Sequence, residues 1–162
     1  MSKEEILSRV LNILDLEKPD MSEFNTRLKF QKIVYLLQSS GLSLGYAFNW
    51  YVRGPYSPDL TQSLYSINDS LFENSKGIVF KDHEAIAHEL NKFREKLGPN
   101  VDNVKYLEVL ASMHYIWKVT FNGRGGKENL KIKLLHAKPS LKEFENIDQL
   151  IDEAYNDLKN YN

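Results

Sequence analysis

The sequence predicts a mainly α-helical fold of the α+β class: a compact bundle of about six to seven helices with a small two-stranded antiparallel β element. Three observations lead to this prediction. Apolar residues recur at helical spacing through most of the chain. The segment 46–53 alternates in the manner of a strand. Glycine, proline and capping residues separate the periodic segments.

The first two predicted helices differ in how much of their surface is apolar. The first covers 3–15, with Ser2 as its cap and one apolar face. The second covers about 25–39, with Asn25 as its cap, and its apolar residues surround more than one face. This breadth predicts a central position in the core. A solvent-facing or partner-facing strip is expected to hold the remaining polar side chains, Arg27, Gln31, Lys32 and Gln38.

The alternating segment 46–53 predicts a strand with one face on the core. Tyr46, Phe48, Trp50 and Val52 share one face, and Ala47, Asn49, Tyr51 and Arg53 share the other. Gly54 and Pro55 are expected to end this strand. A second strand is predicted at 77–80, pairing with 48–52 as a ribbon that lies on the helices.

Helices fill the rest of the predicted fold. Ser57, Pro58 and Asp59 are typical of a cap, a first helical residue and an acid matched to the helix dipole, and they start a helix that runs to Leu71. Further helices are predicted at about 83–97, 103–118, 127–136 and 147–160. The helix at 103–118 is strongly apolar and is expected to be the second core helix. Because no repeat or linker is visible, one domain is predicted over 1–162.

Composition limits the classes of function. The chain is 42% hydrophobic and 27% charged, with a formal net charge of -1, so no global attraction to nucleic acid or anionic membrane is expected. The absence of cysteine excludes disulfides, thiolate chemistry and cysteine zinc sites, and it fits a reducing cytoplasm. No secretory signal and no apolar stretch of membrane-spanning length is visible. A cytoplasmic protein without membrane contact is therefore expected.

No residue pattern indicates catalysis, a metal site or a cofactor. His83 and His88 lie five positions apart, and side chains at that spacing diverge by roughly 140° on a helix, so they are not expected to share a metal. His114 on its apolar helix is expected to be a satisfied core histidine. The glycines before Lys127 lack the spacing and the following Ser or Thr of a phosphate loop, so a hinge is the favoured interpretation.

Charge is uneven near the C-terminus. Residues 124–142 hold six basic side chains against the single acid Glu128, and residues 143–157 hold six acids and no base. Two neighbouring helices of complementary charge are the favoured interpretation. The alternative is a basic patch for nucleic acid, formed by Arg124, Lys127, Lys131 and Lys133.

The exposed face of the predicted strand offers a candidate binding surface. Tyr51 and Arg53 share that face, and Tyr56 lies in the adjoining turn. Tyrosine and arginine are enriched among residues that dominate binding energy. The predicted partner-binding residues are Tyr51, Arg53, Tyr56, Ser57 and Lys32. Packing of these residues under a neighbouring helix is the alternative.

Two segments resemble a known protein family. Residues 27–38, RLKFQKIVYLLQ, resemble the "KLQKLVYLLQ" helix of small prokaryotic YwgA-like proteins. Residues 48–60, FNWYVRGPYSPDL, resemble their strand and "GPYS-x-x-L" turn. The chain is similar, more distantly, to the Panacea domain of SocA-like antitoxins. Panacea members tend to carry a tryptophan and "YGP" where this chain has Arg53-Gly54-Pro55, which places it nearer the YwgA-like branch.

The resemblance implies a compact, mostly helical domain with a small β element and no catalytic residues. For the Panacea branch it also implies an antitoxin-type role, in which the protein binds a toxin and at times acts as an adaptor for a protease. A non-catalytic, antitoxin-like protein-binding module is therefore the first functional hypothesis. The alternative is a DNA-binding regulator, because helices followed by a short ribbon are compatible with a winged helix.

Overall fold

Eight α-helices and one β-hairpin form the regular structure in the computed structural model, which describes residues 1–162. The α-helices are α1 (Lys3–Ile13), α2 (Phe24–Ser39), α3 (Pro58–Ser66), α4 (Asp69–Ser75), α5 (His83–Leu97), α6 (Val104–Tyr115), α7 (Lys127–Ala137) and α8 (Ile147–Asp157). The strands are β1 (Asn49–Tyr51) and β2 (Gly54–Tyr56). The predicted mainly α-helical fold with a small antiparallel β element is confirmed.

Short non-α turns extend three of these helices. A 3₁₀ turn at Gly98–Asp102 follows α5, and another at Leu158–Tyr161 follows α8. A π-helical turn at Ile116–Thr120 continues α6, so the predicted helix over 103–118 is found with a change of hydrogen-bond pattern near its end. A third 3₁₀ turn, Pro139–Glu143, joins α7 to α8.

Helices α2 and α6 lie at the centre of the core. They pack against each other, and α6 also contacts α7, α8 and β2. Helix α1 packs on α3, α4 and α5. The buried apolar side chains form one continuous cluster that draws on all eight helices. The central position predicted for α2 from its broad apolar surface is therefore confirmed, since only Phe24 and Asn25 at the start of this helix are exposed.

The start of α1 matches its prediction and the start of α2 does not. Ser2 caps α1 in a capping box, in which Ser2 Oγ accepts from the Glu5 N–H and the Glu5 carboxylate accepts from the Ser2 N–H, both at 3.1 Å. Helix α2 begins at Phe24, after Glu23, and no side chain caps it. Asn25, the predicted cap, lies inside the first turn because the preceding turn is closed at Asp20, whose carboxylate binds Ser22.

One predicted helix divides into two. The segment from Pro58 to Leu71 was expected to be continuous, but α3 ends at Ser66 and α4 begins at Asp69. Asn68 causes the new start, because its Oδ1 accepts a hydrogen bond from the Leu71 N–H at 2.8 Å and thereby caps α4. The helix count is therefore eight instead of six to seven.

The hairpin differs from the predicted ribbon. Strand β1 pairs with β2 in the register Asn49↔Tyr56, Trp50↔Pro55 and Tyr51↔Gly54. Gly54 and Pro55 thus form the partner strand instead of ending the first one. The loop is Val52-Arg53, so Val52 is 87% exposed at the turn although alternation placed it on the core face. A local turn closes this pairing at low entropic cost, whereas pairing with 77–80 would close a long loop.

The predicted strand at 77–80 is wrong. These residues follow α4 as a turn and irregular backbone. The Ile78 carbonyl accepts from Arg9 Nε at 2.8 Å, and the Phe80 N–H donates to His83 Nδ1 at 3.3 Å. Side chains thus replace strand partners here, and the ribbon predicted between 48–52 and 77–80 does not form.

Strand β1 is also shorter than the predicted 46–53. Gln38 accounts for part of the difference, because its Oε1 accepts from the Tyr46 N–H at 3.1 Å and its Nε2 donates to the Tyr46 carbonyl at 2.8 Å. Tyr46 therefore needs no strand partner. Phe48 and Trp50 face inward as predicted, with ring centroids 5.5 Å from Tyr35 and 5.6 Å from Tyr115.

Candidate functional site

Lys32 lies beneath the hairpin and not on a partner-facing strip. Its side chain is 0% exposed, and its ammonium donates to the Pro55 carbonyl at 2.9 Å. Burial, helped by the nearby charge of Lys138, lowers the pKa of Lys32 to about 7. The predicted partner contact of Lys32 is therefore wrong in this structure. The reason is that the hairpin folds back over α2 and uses Lys32 to satisfy the carbonyl of a proline.

A second buried lysine lies close to this position. Lys138 donates to Glu108 Oε2 at 2.5 Å and to Ser112 Oγ at 3.4 Å, and all three residues are buried. Burial lowers the pKa of Lys138, against the opposing effect of the Glu108 charge. Glu108 is the only carboxylate in this cluster, so Lys32 has no acid of its own. Lysines are rarely buried without such a partner.

Gly54 is required where β2 crosses α6. Its φ of +94° is a conformation that residues with a side chain rarely adopt, and a Cβ at this position would collide with Ser112 Oγ. The same Cβ would lie 3.5 Å from Lys32 Nζ. This close approach places the backbone of β2 against Lys32 and Ser112 and so fixes the hairpin against α2 and α6.

Ser57 has a structural role at the start of α3. Its Oγ accepts from the Leu60 N–H at 3.3 Å, which confirms it as a helix cap. Its backbone N–H and carbonyl are both bound by the amide of Gln31, at 2.9 and 2.8 Å. Because Ser57 is fully buried by these contacts, its predicted contact with a partner is wrong. Gln31, predicted for the exposed strip, is buried for the same reason.

The other predicted partner-binding residues lie together on the surface beside the hairpin. Tyr51 is 44% exposed, and its ring centroid lies 5.2 Å from that of the half-buried Tyr56. Arg53 is exposed, and its guanidinium carbon lies 5.2 Å from the centre of the Phe24 ring. Arg53 makes no ion pair and no side-chain hydrogen bond. The structure thus brings Tyr51, Arg53 and Tyr56 to one side of the hairpin.

Three neighbouring residues complete this surface and were not predicted as partners. Phe24 and Tyr65 are 49% and 58% exposed although both are large and apolar. Arg27 lies 5.8 Å from the Phe24 ring and donates to the Met21 carbonyl at 2.8 Å. The sequence signal for this part of the surface is Phe24 followed three positions later by Arg27 at the start of a helix, because side chains at that spacing are neighbours on one face. The surface, called the hairpin face below, consists of Phe24, Arg27, Tyr51, Arg53, Tyr56 and Tyr65.

A pocket of about 300 Å³ opens in the hairpin face. Its lining consists of Phe24, Arg27, Leu28, Gln31, Lys32, Arg53, Tyr56, Thr61 and Tyr65. Three of these side chains are basic and none is acidic. The neutral polar groups are engaged with one another, since Gln31 Nε2 donates to Thr61 Oγ1 and Thr61 Oγ1 donates to Tyr56 Oη, both at 2.8 Å.

The basic segment near the C-terminus is paired with acids. Lys127 lies 3.0 Å from Asp152 and Lys131 lies 2.8 Å from Asp148, and both acids belong to α8. The favoured interpretation, two neighbouring helices of complementary charge, is confirmed. Of the four residues predicted for nucleic acid, only Arg124 and Lys133 are exposed without an ion pair.

The histidines show no catalytic or metal-binding arrangement. His114 is buried, with Nε2 donating to the Tyr161 carbonyl at 3.1 Å and Nδ1 accepting from Tyr35 Oη at 2.9 Å. Burial lowers its pKa to about 4, so it is a neutral, satisfied core histidine as predicted. His83 accepts from the Phe80 N–H and lies 3.5 Å from Arg9. No group of three or more potential metal ligands occurs.

A comparison with known protein families, curated proteins and solved structures finds no match for this chain. The resemblance to YwgA-like and Panacea proteins therefore stays a prediction. None of the helices has both the length and the apolar character needed to cross a membrane.

Proposed function

We propose that the protein is a non-catalytic protein-binding module that captures its partner through the hairpin face. The observation that supports this proposal is the clustering of three exposed or half-exposed aromatic side chains, Phe24, Tyr51 and Tyr65, around the unpaired guanidinium of Arg53. Aromatic residues and arginine dominate the binding energy of many protein interfaces. A contiguous patch of this kind on a protein surface is typical of an interaction site.

The hairpin face is also positioned rigidly. Its strands are fixed by Gly54 against α6 and by Pro55 on Lys32, and Gln31 holds the turn into α3. A fixed surface loses little conformational entropy on binding, which favours affinity. The cations without an acidic neighbour further favour a partner surface that carries negative charge.

The proposed role is antitoxin-like, with a toxin as the partner and the cytoplasm as the setting. The nature of the partner rests on the Panacea resemblance, and the setting rests on the cysteine-free sequence. The hairpin face supports protein binding in general. Of the residues predicted to bind nucleic acid, only Arg124 and Lys133 are exposed without an ion pair, so protein binding is favoured over nucleic-acid binding.

Affinity capture from the host cell tests the proposal. Tagged protein is isolated with and without nuclease, and bound proteins are identified by mass spectrometry. We expect one stoichiometric, nuclease-resistant protein. Loss of every partner on nuclease treatment, or recovery of DNA alone, would overturn the proposal in favour of a nucleic-acid-binding regulator.

A charge reversal then locates the binding surface. Arg53→Glu is expected to weaken capture of the identified partner by at least about thirtyfold, the effect of losing a residue that dominates an interface. Lys81→Glu is the matched control, because Lys81 is exposed, unpaired and outside the hairpin face. Circular dichroism and thermal unfolding check that both variants keep the fold. Capture that survives Arg53→Glu would show that the hairpin face is not the binding surface.

A further inference from the structure

The pocket in the hairpin face combines apolar walls with an excess of positive charge. Phe24, Leu28, Tyr56 and Tyr65 supply the walls. Arg27 and Arg53 supply the charge, and neither makes an ion pair. Lys32 also lines the pocket, but its ammonium is buried on the Pro55 carbonyl. The one buried acid nearby, Glu108, is already paired with Lys138 at 2.5 Å. A chain with a net charge of -1 therefore holds a local surplus of cations around one pocket.

The available hydrogen-bond donors limit the kind of anion. The Gln31 amide is taken by Ser57 and Thr61, so it offers nothing to a ligand. The two guanidinium groups remain, with that of Arg53 5.2 Å and that of Arg27 5.8 Å from the centre of the Phe24 ring, and Arg27 also donates from Nη1 to the Met21 carbonyl. Guanidinium forks match the two oxygens of a carboxylate. The apolar walls require that this carboxylate be attached to an apolar group.

We infer that the pocket binds an acidic side chain that stands next to an aromatic or branched apolar residue in the captured protein. The inference rests on the proposed function, because it assigns the pocket to the partner's anchor. The volume of about 300 Å³ is at the lower end for ligand pockets and suits such a pair of side chains. Tyr51 lies outside the pocket, at 44% exposure, and extends the surface for the flanking chain.

Short capped peptides test this assignment without the partner. The probes are acetyl-Phe-Glu-amide and acetyl-Glu-Phe-amide, titrated into ¹⁵N-labelled protein and followed by amide chemical shifts. We expect at least one of the two peptides to change the amide chemical shifts mainly at the pocket residues. Replacing Glu by Gln in that peptide is expected to weaken binding about tenfold, since a charge-assisted hydrogen bond to arginine is lost.

Variants of the protein identify the cations that bind the carboxylate. In the Arg53→Gln variant, the Glu peptide is expected to bind no more than about twofold more tightly than the Gln peptide. The reason is that the charge that recognises the carboxylate is removed. Lys81→Gln is the control and is expected to keep the full preference. Arg53 is exposed and its side chain makes no hydrogen bond or ion pair within the protein, so its replacement is expected to leave the fold intact, which thermal unfolding checks.

Three outcomes would overturn the inference. The first is the absence of shifts at the pocket with both peptides, and the second is equal binding of the Glu and Gln peptides. The third is tighter binding of the free acid 3-phenylpropanoate than of either peptide, which would assign the pocket to a small molecule. These outcomes leave the capture experiment unaffected, whereas loss of every captured protein on nuclease treatment would remove the proposed function itself.

Discussion

Two parts of the molecule concentrate basic side chains, and the tertiary structure treats them in opposite ways. In the segment 124–142, Lys127 and Lys131 reach acids on α8, and Lys138 is buried against Glu108. At the hairpin face, Arg27 and Arg53 line one pocket with no acid in its lining. The segment has the denser charge in the sequence, yet Lys127, Lys131 and Lys138 are neutralised there by acids from other helices, whereas neither arginine of the hairpin face has an acidic partner. Local charge density therefore says little about binding until the neighbouring elements are known.

The largest expected effect concerns the buried pair of the basic segment. Glu108→Gln leaves Lys138 buried without a counter-charge and is expected to lower the free energy of unfolding by about 4 kcal/mol. Denaturant unfolding followed by circular dichroism measures the change. The double variant Glu108→Gln with Lys138→Met is expected to recover most of the loss, because no uncompensated charge remains. Equal losses in the single and double variants would show that Glu108 acts by packing alone.

The next effect concerns the backbone that supports the hairpin face. Gly54→Ala is expected to lower the free energy of unfolding by about 3 kcal/mol, because the alanine would need a positive φ and its Cβ would collide with Ser112. Gly41→Ala is the matched control: its φ is +111° but no atom lies within 4 Å of an added Cβ. The control is expected to lower the free energy of unfolding by about 1 kcal/mol, because it carries the penalty of a positive φ without a collision. Equal costs, measured by thermal unfolding, would show that the close approach to Ser112 is unimportant.

The third effect is a pH dependence that arises beneath the hairpin, at Lys32. The pKa of Lys32 is about 7 in the folded protein against 10.5 when exposed, so between these values the unfolded chain binds a proton that the folded protein does not. Stability is therefore expected to rise with pH through this window, by at most about 1.4 kcal/mol per pH unit.

Comparison of wild type with Lys32→Met isolates this contribution. The variant is expected to show a flatter stability profile from about pH 7 to pH 10, measured by denaturant unfolding. The surrounding groups, Lys138, Glu108 and Arg53, are present in both proteins, so the difference between the profiles reports the proton of Lys32 together with the effect of its charge on these neighbours. Parallel profiles for the two proteins would show that Lys32 keeps its proton in the fold.

The smallest effect concerns the surface ion pairs of the basic segment. Lys127→Gln is expected to change the free energy of unfolding by about 0.5 kcal/mol or less, because the pair with Asp152 is exposed and screened. Raising the salt concentration is expected to remove even this difference. Asp152→Asn is the matched change on the other partner. A decrease in the free energy of unfolding as large as that of Glu108→Gln would show that the exposed Lys127–Asp152 pair contributes strongly to stability.

Several features of the fold were predictable from local sequence. Ser2 caps α1 and Ser57 caps α3 as expected, because a capping side chain and the N–H groups it binds are only two or three residues apart. The breadth of the apolar surface on α2 correctly indicated its central position. One failed prediction has a local cause: Asn68 caps a second helix inside a continuous apolar pattern.

The candidate site was only partly predictable. Tyr51, Arg53 and Tyr56 were identified because alternation and turn residues place them near the hairpin, and they lie together on its surface. Lys32 and Ser57 were misassigned because nothing in the sequence shows that a hairpin folds back over α2. Phe24 and Tyr65 were missed because helical periodicity does not tell which apolar residues remain uncovered.

Local sequence specifies the helical periodicity, the caps Ser2 and Ser57, the inward direction of Phe48 and Trp50, and the absence of cysteine chemistry. These properties depend on spacing along the chain and on side-chain chemistry. The packing of distant elements specifies which cations are neutralised, which lysines are buried and which aromatic side chains meet around a pocket. Those outcomes depend on contacts between residues far apart in sequence, such as Lys138 with Glu108 and Arg53 with Phe24. The residues around one member of such a contact do not indicate which distant residue is the other member.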